Sequence, residues 1–396
     1  MRAAKWIVGR ALRLIPESVR GRVLPGAFRF DPSQRPEVPV ARPAPTRLLI
    51  APVNYAGQGM QWARALREHA AGTWAMNMVV RTPRDFRHPA DLTIPLGFYA
   101  ASTRWQKAAF ASVAAGFSHV MIEAEKQPFG AVLDETTTQQ ARRLRRHGVG
   151  VVMLCHGTDV RSPRRHMATE PYSPFRDAMK REAVAFERIA AANRRTLDEI
   201  AAPVLVSTPG LLDDVPDAQW LPVVVDVEAW RSDAPVGAGA RLVVAHAPSN
   251  SAVKGSDVVD RVLGGLERAG LVEYRRLTGI PYNEMPLAYR DADVVVDQLR
   301  LGDYGVAACE AMAAGRLVVG HVSARVREYV RAAAGVELPI LEADPSSLEE
   351  VMRDLAADHA RAAKLAAGGV AFAQRVHDGR MSAAVLSKAL ARATPS

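Results

Sequence analysis

Short apolar runs alternate with longer amphipathic stretches along most of the chain. Residues 47–54, Arg-Leu-Leu-Ile-Ala-Pro-Val-Asn, read as a buried strand, and Gly57-Gln58-Gly59 then leads into a helix reaching about residue 71. Further strands are expected at 73–80, 118–124, 149–156 and 204–208, with helices over 134–147 and 175–200 between them. A Gly/Ala/Pro-rich segment at 233–240 interrupts the pattern, which then restarts with strands at 241–247, 273–279, 293–299 and 317–322 and a helix over 257–269. Ser346-Ser347-Leu348-Glu349 has the spacing of a capping box opening the last helices. No repeat of 20–50 residues is visible.

Strands alternating with helices give a parallel sheet covered on both faces. The expectation is therefore an α/β chain with two doubly wound, Rossmann-like domains facing a central cleft. The boundaries fall at a basic N-terminal arm and Pro-rich tether over 1–45, a first domain over 46–226, a linker over 227–240, a second domain over 241–370 and a C-terminal helix over 371–396. Open sheets of this kind bind ligands beyond the carboxyl ends of their strands, so the loops after each strand are the candidates for chemistry.

Composition narrows the class. Of 396 residues, 48% are hydrophobic and 23% charged, which excludes wholesale disorder, a collagen-like repeat and a disulfide mini-scaffold. No charge-free apolar run approaches the ~18 residues of a membrane span; the longest, 108–122, is bounded by Lys107 and Glu123 and contains His119. Cys155 and Cys309 each lie in an apolar segment without metal-ligand spacing, the pattern of reduced thiols in a cytoplasmic protein.

The net charge of +9 is concentrated: residues 1–45 hold nine basic and three acidic side chains. The remainder is nearly balanced, which argues against a nucleic-acid partner. Residues 2–15 mix Trp6, Ile7, Val8, Leu12, Leu14 and Ile15 with Lys5, Arg10 and Arg13. Two readings fit equally: a basic amphipathic helix placing residues 1–24 on the inner face of a membrane, or an arm packed on the first domain. Arginines interrupt any secretory h-region.

Four loops carry candidate chemistry. Gly57, Gln58 and Gly59 open a helix N-terminus where backbone approaches a ligand or simply turns tightly. They lack the third glycine of a dinucleotide fingerprint, and Thr82 and Arg84 stand after the next strand where such a fingerprint wants an acid. His156-Gly157-Thr158-Asp159-Val160-Arg161 puts His156, Asp159 and Arg161 at one strand end, suited to sugar hydroxyls and charge. Ser249 and Asn250 precede Lys254-Gly255, a point charge before a helix, as phosphate favours. Asp303, Tyr304 and Gly305 precede a helix carrying Glu310, whose carboxylate can accept from two vicinal hydroxyls. His246, Asp226, Asp291 and Asp297 border strands and receive no role.

In that order the motifs resemble the nucleotide-sugar-binding domain of GT-B fold glycosyltransferases of the family-4 type. The resemblance is carried by Ala247-Pro-Ser-Asn250, Lys254-Gly255, Thr278-Gly279, the run 293–298 and the run 304–315, with its Glu310-Ala-Met-Ala-Ala-Gly315. In the first half it is carried by Gly57-Gln58-Gly59, His156-Gly-Thr-Asp159 and Val206-Ser-Thr-Pro209. It implies that Lys254 binds the donor diphosphate, Glu310 holds the ribose, residues 303–305 cap the phosphates or transferred sugar, and His156 faces the donor sugar. It also implies that residues 280–282, Pro281 among them, meet the base, and that a helix after Lys364 returns to the first domain. Two departures stand out: the family's glutamate eight positions before Glu310 is replaced by Gly302, and residues 248–251 lack its arginine.

The expected activity is transfer of a sugar from a nucleoside diphosphate to an acceptor hydroxyl, with retention, without a metal or cofactor, in polysaccharide or glycoconjugate assembly. The catalytic candidates are His156, Asp303 and Lys254. The partners are a nucleotide sugar and a glycan, lipid-linked glycan or small-molecule acceptor. A nucleotide-sugar epimerase and a non-catalytic nucleotide-sugar-binding partner protein are the alternatives.

Overall fold

A computed structural model describes residues 15–83, 85, 87–130 and 135–393. Residues 1–14 of the stretch 1–24 proposed to lie on a membrane, and Arg84, lie outside the described residues, as does the start of the helix expected from 134. The described strands form two parallel sheets. A seven-stranded sheet has the order β3-β2-β1-β4-β5-β6-β7, and a five-stranded sheet the order β12-β11-β10-β8-β9. The chain divides into two compact units, the first holding 1–156, 193–205 and 383–396 and the second 157–192 and 206–382.

The first unit contains β1 (Thr46–Ala51), β2 (Thr73–Arg81), β3 (Leu92–Pro95), β4 (His119–Glu123) and β5 (Gly150–Cys155). The central strands are apolar over most of their length because both faces are covered; Leu48, Leu49, Ile50, Met121 and Ile122 are fully buried. β1 pairs with β2 through Thr46 and Thr73 and with β4 through Leu48 and His119. The order reverses at β1, whose neighbours are β2 and β4, so their carboxyl ends form a switch point. The helix Gln58–His69 buries Trp62, Ala63, Ala65 and Leu66 on one face. The helix Thr137–Arg146 opens with a true capping box between Thr136 and Gln139. In the C-terminal helix Arg380–Ala393, the Leu390 carbonyl lies 3.1 Å from His119 Nε2.

β6 is Val204–Val206 and β7 Gln219–Trp220. The second unit's sheet comprises β8 (Leu242–His246), β9 (Val272–Arg276), β10 (Val294–Val296), β11 (Leu317–Gly320) and β12 (Ile340–Glu342). Its core packs Leu242, Val244, Val294, Val296 and Val319 against Val259, Leu263, Met352 and Leu355 of the covering helices. The switch point here lies between β8 and β10, which pair through Val244 and Val294.

Two local expectations are corrected. The helix Leu348–Ala357 has Ser347 at its N-cap without a side-chain cap bond. Asp344 takes over the local donors: its carboxylate accepts from the amides of Ser346 and Ser347, and its own amide donates to Ser347 Oγ. The helix expected from 175 starts at Lys180, because Pro174–Arg176 form a 3-10 turn. Among the described residues no helix is long and apolar enough to cross a membrane.

Candidate functional site

In the second unit the predicted lysine and glutamate come together at the carboxyl ends of β8 and β10. Lys254 closes the short helix Ser251–Lys254, and Gly255 turns the chain in the left-handed region into the helix Ser256–Arg268. The Lys254 ammonium forms an ion pair with Asp297, the residue immediately after β10. Glu310 sits on the helix Val306–Ala313 and is 6% exposed. Burial pushes its carboxyl up to about 8, against the opposing pull of a Tyr282 hydrogen bond and the Lys254 charge; the Asp297 charge adds to the rise. At Gly305, the start of that helix, nothing lies within 4 Å of where a Cβ would be. Its N-terminal amides can therefore be approached closely by an anion.

Tyr282 stacks edge-on against Trp230 at 6.2 Å, with Tyr289 on another side of the same indole at 5.5 Å. Pro281 is exposed and starts the 3-10 turn Tyr282–Glu284. Ser249 is exposed; Asn250 caps the next helix, accepting from the amides of Ala252 and Val253. His246 is a satisfied core residue, bonded to the Val296 carbonyl and Ser256 hydroxyl, and burial drives its pKa down to about 4.

Asp303 and Tyr304 face inward. Asp303 is 2% exposed and pairs with Arg161 at 3.2 Å, while the Tyr304 amide donates to its carboxylate. Burial raises the Asp303 pKa, and the Arg161 charge opposes the rise. Gly210 leaves room for this carboxylate, since a Cβ there would be 2.6 Å from Asp303 Oδ2. Tyr304 packs on His377 and Trp220. These two side chains thus hold the loop from within, Asp303 through Arg161 and Tyr304 through His377 and Trp220. Asp159 accepts from the amides of Gly157 and Val160, bracing its own turn.

Gly302, where the resemblance calls for a carboxylate, has φ 62°, and the Glu170 carboxyl carbon lies 2.6 Å from where its Cβ would be. Glu170 bonds His321 at 2.9 Å, and His321 bonds Glu342 at 2.6 Å. Burial alone would lower the histidine's pKa; the two carboxylates outweigh it and raise it to about 9.

In the first unit His156 follows β5, with its Nε2 3.2 Å from Glu123 Oε1, and its ring meets Tyr55 edge-on at 5.0 Å. Glu123 is fully buried, which pushes its carboxyl above the ordinary range against the pull of His156. Gly57 has φ 75° and caps the helix Gln58–His69. Gln58 is buried. Gly59 is needed for packing: a Cβ there would lie 2.5 Å from Asn77 Nδ2, which donates to the carbonyls of Ile50 and Val53.

Asp297, Glu123 and Glu170 are the neighbours that sequence reading passed over or left without a defined role. Asp297 carried a signal, an acid directly after an apolar strand and 43 positions from its lysine. Glu170 carried none, because its partners come from distant segments.

The architecture is that of GT-B glycosyltransferases. Sucrose-phosphate synthase from Thermosynechococcus elongatus aligns over 87% of this chain and 98% of its own, with 16% identity and TM-score 0.56. Anabaena HepE, in complex with UDP and glucose, aligns over 87% and 99% with 12% identity and TM-score 0.54. The catalytic domain of Arabidopsis thaliana starch synthase IV, bound to ADP and acarbose, aligns over 89% and 100% with 8% identity and TM-score 0.52. No protein-family model matches the sequence, and no curated protein does.

Proposed function

We propose that the protein is a glycosyltransferase that moves a sugar from a nucleoside diphosphate to an acceptor hydroxyl. The observation that carries this is the grouping of Glu310, Lys254 and the open Gly305 helix start at the switch point of the second sheet. A carboxylate suits vicinal ribose hydroxyls, and an ammonium with unpaired helix amides suits a diphosphate. The neighbours that carry UDP or ADP in this fold support the nucleotide class. In the reaction, the acceptor oxygen bonds to the anomeric carbon and the bond from that carbon to the diphosphate oxygen breaks. Its electron pair leaves on the diphosphate, where Lys254 and the helix amides stabilise the charge. On the retaining course, the departing diphosphate oxygen takes the acceptor proton. No metal enters this scheme.

The test is nucleoside diphosphate release from UDP-, GDP- and dTDP-sugars with and without acceptors. Acceptor-dependent release with a glycosylated product supports the proposal. Sugar isomerisation without acceptor supports an epimerase, and binding without turnover supports a non-catalytic partner protein.

A further inference from the structure

The first unit holds a cavity of about 470 Å³, lined by residues 52–56, Val79, Val80, Thr82, Asp85, His88, Leu96, Tyr99 and Lys126. It lies beyond the carboxyl ends of β1, β2, β3 and β4, at the switch point of that sheet. Its size is that of a site for a drug-sized molecule. Pro52, Val53, Val79, Val80 and Leu96 supply apolar walls, with the rings of Tyr55 and Tyr99.

Four of the polar side chains around it, those of Asn54, Tyr99, Asp85 and Lys126, are engaged by the protein itself; Thr82 and His88 also line it. Asn54 donates to the Pro89 carbonyl and accepts from the Met60 amide. The Tyr99 hydroxyl donates to Gln127 O at 2.6 Å, and burial raises its pKa so that it stays a neutral phenol. Asp85 receives Arg81 and the Arg87 amide. Lys126 donates to the Tyr55 hydroxyl at 2.8 Å and lies over that ring.

A glycan entering this cavity would lose water from many hydroxyls against walls that are mostly apolar, a cost of about 1–3 kcal/mol for each one left unsatisfied. An apolar molecule gains by burial and needs one polar contact at most. Ala56, in the lining, adopts a left-handed conformation at φ 49°.

We propose that this cavity binds the acceptor and that the acceptor is an uncharged apolar alcohol or phenol, not a glycan chain or a lipid phosphate. This rests on the transferase reading above and specifies its second substrate.

The test uses full-length protein and 4-methylumbelliferone as a fluorescent phenol, with maltotriose and micellar farnesyl phosphate as competitors and a parallel UDP titration. The expected result is saturable binding of the phenol that neither competitor displaces. Val80→Trp and Leu96→Trp, filling the cavity from two walls, are expected to weaken it at least tenfold while UDP affinity and melting temperature hold. Preferential binding of maltotriose or farnesyl phosphate would overturn the proposal, as would wild-type phenol affinity in either tryptophan variant that remains folded. Nucleotide binding without phenol binding would overturn the acceptor class alone. Phenol binding without nucleotide binding would overturn its acceptor role together with the transferase reading.

Discussion

Glu310 and Lys254 are each held by a neighbour, Tyr282 and Asp297 respectively. A carboxyl with a pKa of about 8 is mostly protonated at neutral pH. If the ribose hydroxyls favour its ionised form, UDP binding at pH 7 should release about one proton per site. Titration calorimetry in two buffers of different ionisation enthalpy measures this, and Glu310→Gln should abolish it. The same raised pKa has a cost in the unliganded protein: stability is lost as pH rises from the ordinary carboxylate range through about 8, and Glu310→Gln should flatten that slope. Lys254→Ala leaves Asp297 buried without its counter-ion and should destabilise by about 3 kcal/mol. Adding Asp297→Asn should recover most of the melting temperature without restoring UDP affinity. Recovery of both would make Lys254 a structural partner only.

At the scale of elements, the glycines separate into those that serve a neighbour and those that leave space. Gly59→Ala should cost about 1–3 kcal/mol through its collision with Asn77, and a chemical-denaturation double-mutant cycle with Asn77→Ala should show strong coupling. The Glu170–His321–Glu342 triad ties a turn near residue 170 to the ends of β11 and β12. Because the His321 pKa is raised, its stabilisation is complete below about pH 6.5 and is lost as pH passes through about 9. His321→Gln should therefore lower stability at pH 6.5 by roughly 2 kcal/mol, discounted for partial solvent screening, and by much less at pH 10.

Apolar runs such as 48–51 and 120–122 announced the central strands, since burial on both faces demands continuous hydrophobicity. β3, β7 and β12, each of two to four residues, were not read from the sequence. In the second unit, spacing pointed to Lys254 and Glu310, which the structure brings near each other, because each belongs to a local motif. It could not reveal that Asp303 turns inward to Arg161, 142 positions away, nor that Glu170 approaches Gly302. Both depend on long-range packing that no local pattern encodes.

At the scale of the whole molecule, each sheet carries a candidate site at its own switch point, polar and charged in the second unit and largely apolar in the first. On the proposed reading, the polar site would take a nucleoside diphosphate sugar and the apolar one the acceptor. The most direct test of the central claim is calorimetric titration of the full chain with UDP, GDP, dTDP and pyrophosphate, alongside Glu310→Gln and the Lys254→Ala/Asp297→Asn pair. The account predicts that one nucleotide binds, that Glu310→Gln weakens the nucleotide far more than pyrophosphate, and that the lysine pair of changes weakens both. Absence of binding by every nucleotide, or equal binding by wild type and both variants, would contradict it.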